Sequence, residues 1–228
     1  MNDLSGIKSW PLTERPRERL LAEGADKLST AELLAVLLRN GTRGKDAVTF
    51  SRELLAKFGG LRGFLSAEAK ALKGEKGLGP AKIAALAAAG EIFRRALREE
   101  IIGKNAIRDP ESVLNYLYAS MRDRKKEVFK VLFLDKANRV IDEQNLFEGT
   151  VDEAAVHPRE VVKAALDRHA TGIILVHNHP SGRTEPSVED RAITAKLQSA
   201  CSSVGLKILD HLIVGDDPYF SFSERGLI

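Results

Sequence analysis

The chain has 228 residues, 43% hydrophobic and 29% charged, enough for one large domain or two ordinary ones. Its one cysteine, Cys201, allows neither an intramolecular disulfide nor a cysteine-only zinc cage, which fits a reducing, cytoplasmic setting. The first thirty residues lack the long apolar core of a signal peptide, and the longest stretch free of polar side chains, Ile83 to Gly90, is far short of the about 20 residues of a membrane span. Neither export nor a transmembrane role is expected.

The net charge of +3 is unevenly spread. Residues 1–108 carry 20 Lys or Arg against 13 Asp or Glu, and residues 109–228 carry 15 against 19. A basic first half fits contact with a polyanion, although solvated helix faces alone could give the same imbalance.

That first half reads as short helices. Ser29 with Glu32 forms a capping box before the stripe Leu33, Leu34, Leu37 and Leu38, which Asn40-Gly41 ends. Further helices are predicted over Val48 to Phe58 and roughly Ala67 to Lys73, each stopped by glycine, and Pro80 opens a long alanine-rich helix to about Glu100. Lys76-Gly77-Leu78-Gly79-Pro80-Ala81-Lys82, between two of these helices, resembles the hairpin of a helix-hairpin-helix DNA-binding module. Gly77 and Gly79 permit a tight turn, and the amides there, with Lys76 and Lys82, suit a phosphate held without reading a base. Lys70 and Lys73 extend the basic face. A plain turn is the alternative reading, and Leu28–Phe64 resembles a second helical pair more loosely.

The period changes near residue 105, which gives expected domains of 1–105 and 106–228. A helix from Pro110 to Ser120 precedes two strands, Val128 to Leu134 and Arg139 to Phe147, joined through Lys136-Ala137-Asn138. A helix from Pro158, a strand Gly172 to Val176, a helix Ser187 to Ser203 and strands near Leu206 to Val214 and Tyr219 to Phe222 complete a mixed α+β pattern, a sheet packed with helices.

The apolar run Ile173-Ile174-Leu175-Val176 leads into His177-Asn178-His179-Pro180-Ser181-Gly182. Residues two apart on an extended segment face one side, so both imidazoles can converge on a metal. Asp190, in the first turn of the helix opened by Ser187, is the candidate third ligand, leaving a fourth zinc position open. Ser187 and Asp190 also fit a capping box, a purely structural alternative.

His177-x-His179-Pro180 followed by Ser187-x-x-Asp190 resembles the signature of the JAMM (JAB/MPN-type) zinc metalloproteases, and the chain from Arg15-Pro16-Arg17-Glu18-Arg19 to Glu224-Arg225-Gly226 is similar to the RadC group of that superfamily. The resemblance implies a cytidine-deaminase-like sheet with zinc on His177, His179 and Asp190, and a glutamate that accepts a proton from the metal-activated water. It also implies a helper serine for the tetrahedral intermediate, Ser187 here. Glu127 is the matching glutamate, with Glu143 and Glu148 as rivals. His211 in Asp210-His211-Leu212 resembles a RadC pair and could sit behind the ligands. Asn178 stands, as in RadC proteins, where many eukaryotic JAMM deubiquitinases have Ser or Thr; it points away from the ligand face, so metal binding is expected to survive, and it is the carry-over of isopeptidase activity that the departure puts in question. Cys201 reads as a small core residue.

The expected function is a zinc-dependent metallopeptidase coupled to sequence-tolerant DNA binding, with a link to DNA repair implied by the RadC name. A metal-dependent nuclease and a DNA-binding adaptor with a structural metal are the alternatives.

Overall fold

The computed structural model describes residues 6–149 and 156–228. Two compact units divide between Phe93 and Arg94. Together the described residues form a mixed α/β protein with nine α-helices and one five-stranded sheet. No helix among them is long and apolar enough to cross a membrane.

The first unit is helical: α1 (Pro16–Glu23), α2 (Thr30–Leu38), α3 (Ala47–Lys57), α4 (Leu61–Leu65), α5 (Ala69–Lys73) and the start of α6 (Pro80–Ile101). The Ser29–Glu32 capping box forms in both directions ahead of α2. Asp46 caps α3 through the amides of Val48 and Thr49. Leu34, Leu38, Phe50, Leu54, Phe64, Leu78 and Leu86 make one core. Two helices go beyond the sequence reading. α1 opens with Pro16 at its first position and α4 follows Gly60, whose positive φ turns the chain between adjacent helices. α1 is rich in charged residues and α4 carries Gly63 at its centre, so neither shows a plain helical pattern.

In the second unit, α7 (Pro110–Leu117) passes into a π-helical turn at Tyr118–Arg122 rather than running on as α-helix to Ser120. Then come β1 (Glu127–Leu134), β2 (Val140–Gly149), α8 (Pro158–Asp167), β3 (Gly172–Asn178), α9 (Val188–Ser202), β4 (Lys207–Val214) and β5 (Phe220–Ser221). The sheet order is β2-β1-β3-β4-β5. β1 lies antiparallel to β2 and β3, and β3 pairs in parallel with β4.

β1 and β3 are central and covered on both faces, which is why their sequences are nearly unbroken β-branched, leucine and phenylalanine runs. Alternation along them feeds two cores. Val128, Leu132, Leu134, Ile174 and Val176 pack with Val113, Tyr116 and Leu117 of α7. Phe129, Val131, Phe133, Ile173 and Leu175 pack with Val161 and Ala165 of α8 and Leu197 and Cys201 of α9. Each such fully buried side chain contributes roughly 1.5–3 kcal/mol. Cys201 is buried and free, its thiol pushed up to about 11 by burial, as expected of a core residue.

Candidate metal centre

The face that carries Ile173 and Leu175 also carries His177 at the end of β3. One more ladder bond, from the His179 amide to the Val214 carbonyl (3.1 Å), keeps His179 in the extended run, so both rings project to the same side. α9 then returns over this face. Its N-terminus is fixed by Ser187, whose hydroxyl accepts from the Asp190 amide (3.0 Å) and donates to Asp190 Oδ2 (2.7 Å), while the Ser187 amide donates to the same oxygen (2.8 Å). The two readings of Asp190 are therefore compatible. Oδ2 serves the cap, and Oδ1 faces the His177 Nε2 at 3.1 Å.

His177 Nε2 and His179 Nε2 lie 3.0 Å apart, and His179 Nε2 is 3.3 Å from Asp190 Oδ2. Tetrahedral zinc with bonds of about 2.0–2.1 Å has ligand–ligand edges of about 3.3 Å, so this donor set fits the ion in both spacing and chemistry. These three residues form the only such group of three or more His, Cys, Asp or Glu found among the described residues. Burial opposes ionisation of Asp190, but its bonds with His177, His179 and Ser187 outweigh it and hold the carboxyl well below the ordinary range. His179 is held above its usual value despite burial, because Asp190 and the Arg183 carbonyl both favour its charged form.

Each ring has a partner on its outer nitrogen. His179 Nδ1 is 2.8 Å from the Arg183 carbonyl. His177 Nδ1 is 2.8 Å from His211 Nε2, and His211 Nδ1 is 2.6 Å from the Thr194 hydroxyl on α9. His211 is fully buried, and burial first, then the charge of His177, depresses its pKa far below the ordinary value.

Glu127 stands at the start of β1, two residues from Phe129 on the same face. Phe129 pairs across the sheet with His177, which directs Glu127 toward the position of His179. Its carboxyl is raised, chiefly by burial; the two imidazoles lower it and Asp190 raises it further. The rivals sit elsewhere. Glu143 is paired with buried Lys130 on the opposite face, beside the Tyr116 hydroxyl, and Glu148 stands opposite Val128 in the β1–β2 register, which also belongs to that face.

Asn178 points away from the ligands, as the alternation requires, but it is not idle. Its Oδ1 accepts from the Val128 amide (2.8 Å), and its Nδ2 donates to the carbonyls of Lys126 (3.2 Å) and Arg124 (3.3 Å). The residue between the two histidines thus grips the peptide groups on both sides of Glu127. The loop after His179 is also tied down. The Asp216 amide donates to the Gly182 carbonyl (2.7 Å) and the Thr184 hydroxyl to the Pro218 carbonyl (2.8 Å). Gly215 comes so close that a Cβ there would lie 2.3 Å from the Gly182 oxygen. Alternation foretold only the direction of Asn178; Thr194 carried a faint signal, four residues after Asp190 and so on the same side of α9.

In the first unit, Leu78 is buried in the core, while Lys76 and Gly79 are exposed. Gly77 has φ +98°, and a Cβ on it would lie 2.8 Å from Thr42 Cβ, so glycine is required for both conformation and space. Lys82 turns its ammonium onto the carbonyls of Asn40 (2.7 Å) and Gly41 (3.0 Å) and over the Phe50 ring, which draws the preceding α2–α3 turn onto the start of α6.

Residues 107–227 match the family described as RadC-like JAB domain, and residues 7–84 match UPF0758 N-terminal. A UPF0758 protein of Thioalkalivibrio sulfidiphilus is 50% identical over 222 residues, 97% of this chain and 99% of the relative. A UPF0758 protein of Shewanella baltica is 48% identical over 223 residues, 98% of this chain and 99% of the relative, and one of Halorhodospira halophila is 49% identical over 222 residues, 97% and 99%. With a RadC-like JAB domain matched over residues 107–227 and relatives about half identical from end to end, the chain belongs to the RadC-like JAB (UPF0758) family.

Proposed function

We propose that the chain is a zinc-dependent metallopeptidase that works at DNA. Membership of the RadC-like JAB family and the His177, His179, Asp190 group together suggest a metal-dependent hydrolase; the choice of zinc, of an amide bond and of DNA as partner is our reading. The observation that carries it is the convergence of these three donors beside a half-buried glutamate with a raised pKa.

His177, His179 and Asp190 would hold the ion. Once bound there, zinc would supply Lewis acidity and an activated water. Glu127 would take a proton from the attacking water on its carboxylate and deliver it to the leaving amine. Ser187 first orients Asp190; turned toward substrate, its hydroxyl stabilises the tetrahedral oxyanion. The one three-donor group found among the described residues favours amide over phosphodiester chemistry, which commonly employs a second ion.

For DNA, the exposed turn at Lys76, Gly77 and Gly79 provides amides and charge for phosphates, and Lys82 shapes that turn while adding its positive field. Binding of this kind is sequence-tolerant and weakens steeply with salt. The lone thiol, Cys201, supports a cytoplasmic setting.

The test is metal analysis of wild type and His179→Ala, followed by parallel peptide and oligonucleotide cleavage by zinc-loaded wild type and Glu127→Gln. Peptide cleavage lost in Glu127→Gln with zinc retained supports the proposal. Cleavage of the oligonucleotide alone assigns the centre to a nuclease, and zinc binding with neither cleavage leaves a DNA-binding adaptor.

A further inference from the structure

We infer that Thr194 and His211 form a tautomer lock that keeps the metal-facing nitrogen of His177 bare, and that the backbone carbonyl of Asp190 sets its direction. The inference rests on the reading of His177, His179 and Asp190 as metal ligands.

The argument is a count of protons along a chain of buried atoms. Thr194 Oγ1 lies 2.5 Å from the Asp190 carbonyl, which can only accept, so the single hydroxyl proton goes there. The same oxygen lies 2.6 Å from His211 Nδ1, and with its proton committed it can only accept. His211 therefore carries its proton on Nδ1 and presents a lone pair on Nε2. That lone pair faces His177 Nδ1 at 2.8 Å, so His177 donates from Nδ1, and whenever the ring is neutral its lone pair stands on Nε2. Nε2 is the atom that faces Asp190 Oδ1 and His179 Nε2. The neutral His179 ring takes the same tautomer in one step, since its Nδ1 meets the Arg183 carbonyl, another obligate acceptor.

The chain closes on itself: β3 supplies His177, β4 supplies His211, and α9 supplies both Thr194 and the ligand Asp190. All four residues are buried, with His211 at 0% and Thr194 at 2% exposure, so water does not offer a competing partner. A ligand histidine usually hands its second N–H directly to a carboxylate or carbonyl. Here a second histidine and a threonine lengthen that connection and return it to the peptide group of another ligand. Thr194 and His211 are positioning residues in this scheme; neither touches the ion.

Removing the Thr194 hydroxyl leaves the His211 Nδ1 proton without an acceptor, and the ring escapes by moving its proton to Nε2. His177 must then accept on Nδ1 and carry its own proton on Nε2, where the metal should sit.

The experiment measures zinc affinity by chelator competition for wild type, Thr194→Val, Thr194→Ser and His211→Gln, with long-range nitrogen–proton NMR of the metal-free protein above the imidazole titration range of roughly pH 6–7. Expected are a 10–100-fold loss of affinity in Thr194→Val, near wild-type affinity in Thr194→Ser, and a His177 ring protonated on Nδ1 in wild type but on Nε2 in Thr194→Val. Thr194→Val that keeps the wild-type melting profile, the wild-type zinc affinity and the Nδ1-protonated His177 overturns the lock. Should His211→Gln fail to fold, the tautomer of His177 in wild type decides alone, and an Nε2-protonated ring sinks the inference. Wild type that binds zinc no better than His179→Ala refutes the metal centre itself, a separate outcome.

Discussion

Glu127 and Lys130 lie three residues apart on β1 and face opposite sides of the sheet. Both are ionisable groups withdrawn from water, and burial pushes each toward its neutral form, raising Glu127 and lowering Lys130. Their partners differ. Lys130 meets the Glu143 carboxylate and the Tyr116 hydroxyl in a closed pairing, with Arg98 bridging Glu143 to Asp142. Glu127, half-buried, meets the field of two imidazoles and an aspartate. A buried charge with a dedicated counter-ion is architecture, whereas one poised among titratable groups is available for proton transfer.

The contrast breaks most sharply at the candidate metal centre. Replacing His179 by alanine should abolish stoichiometric zinc, from roughly one ion per chain to background by metal analysis, since two donors do not hold the ion. Glu127→Gln should keep the zinc and lower hydrolysis by about 10²–10⁴-fold, measured as kcat on a cleaved peptide. On the other face the order inverts. Glu143→Ala should leave zinc content and kcat per folded molecule unchanged while destabilising the fold by about 3 kcal/mol in urea melts, and Lys130→Met with Glu143→Leu should recover most of that loss. Equal kinetic damage from Glu143→Ala would erase the distinction.

A smaller effect comes from pH. The raised pKa of Glu127 means that the folded, metal-free chain binds this proton more tightly than the unfolded chain does, so stability falls as pH rises from the unfolded value through the folded one. Metal-free Glu127→Gln lacks that penalty. It should be more stable than wild type at neutral pH, and the two should converge below about pH 4, as paired denaturant titrations would reveal.

Much of the second unit was legible because its signals are local. The run Ile173 to Val176 is long, apolar and ends in two histidines, and period-two alternation alone aims them together; Ser187 and Asp190 announce a helix start whose first turn must return over that end. The hairpin at Lys136 to Asn138 was equally plain. What escaped depends on register between distant strands. Nothing local to Glu143 says that it faces Lys130, and nothing local to Asn178 says that its amide reaches residues 124, 126 and 128. α1 and α4 escaped for another reason, since α1 is rich in charged residues and α4 has Gly63 at its centre, which hides a helical period. Lys82 looked like a surface cation because sequence does not reveal carbonyls forty residues upstream.

The near contact of Gly215 with Gly182 has a practical side for anyone altering this protein. A methyl group at position 215 has no room beside the Gly182 oxygen, so the segment after His179 must lift away and take the Arg183 carbonyl with it. The imidazole of His179 would then lose its anchor although every donor residue is still encoded. Position 215 works as a hidden gauge for the centre, and a screen for variants that no longer capture metal will return substitutions there beside those of the ligands.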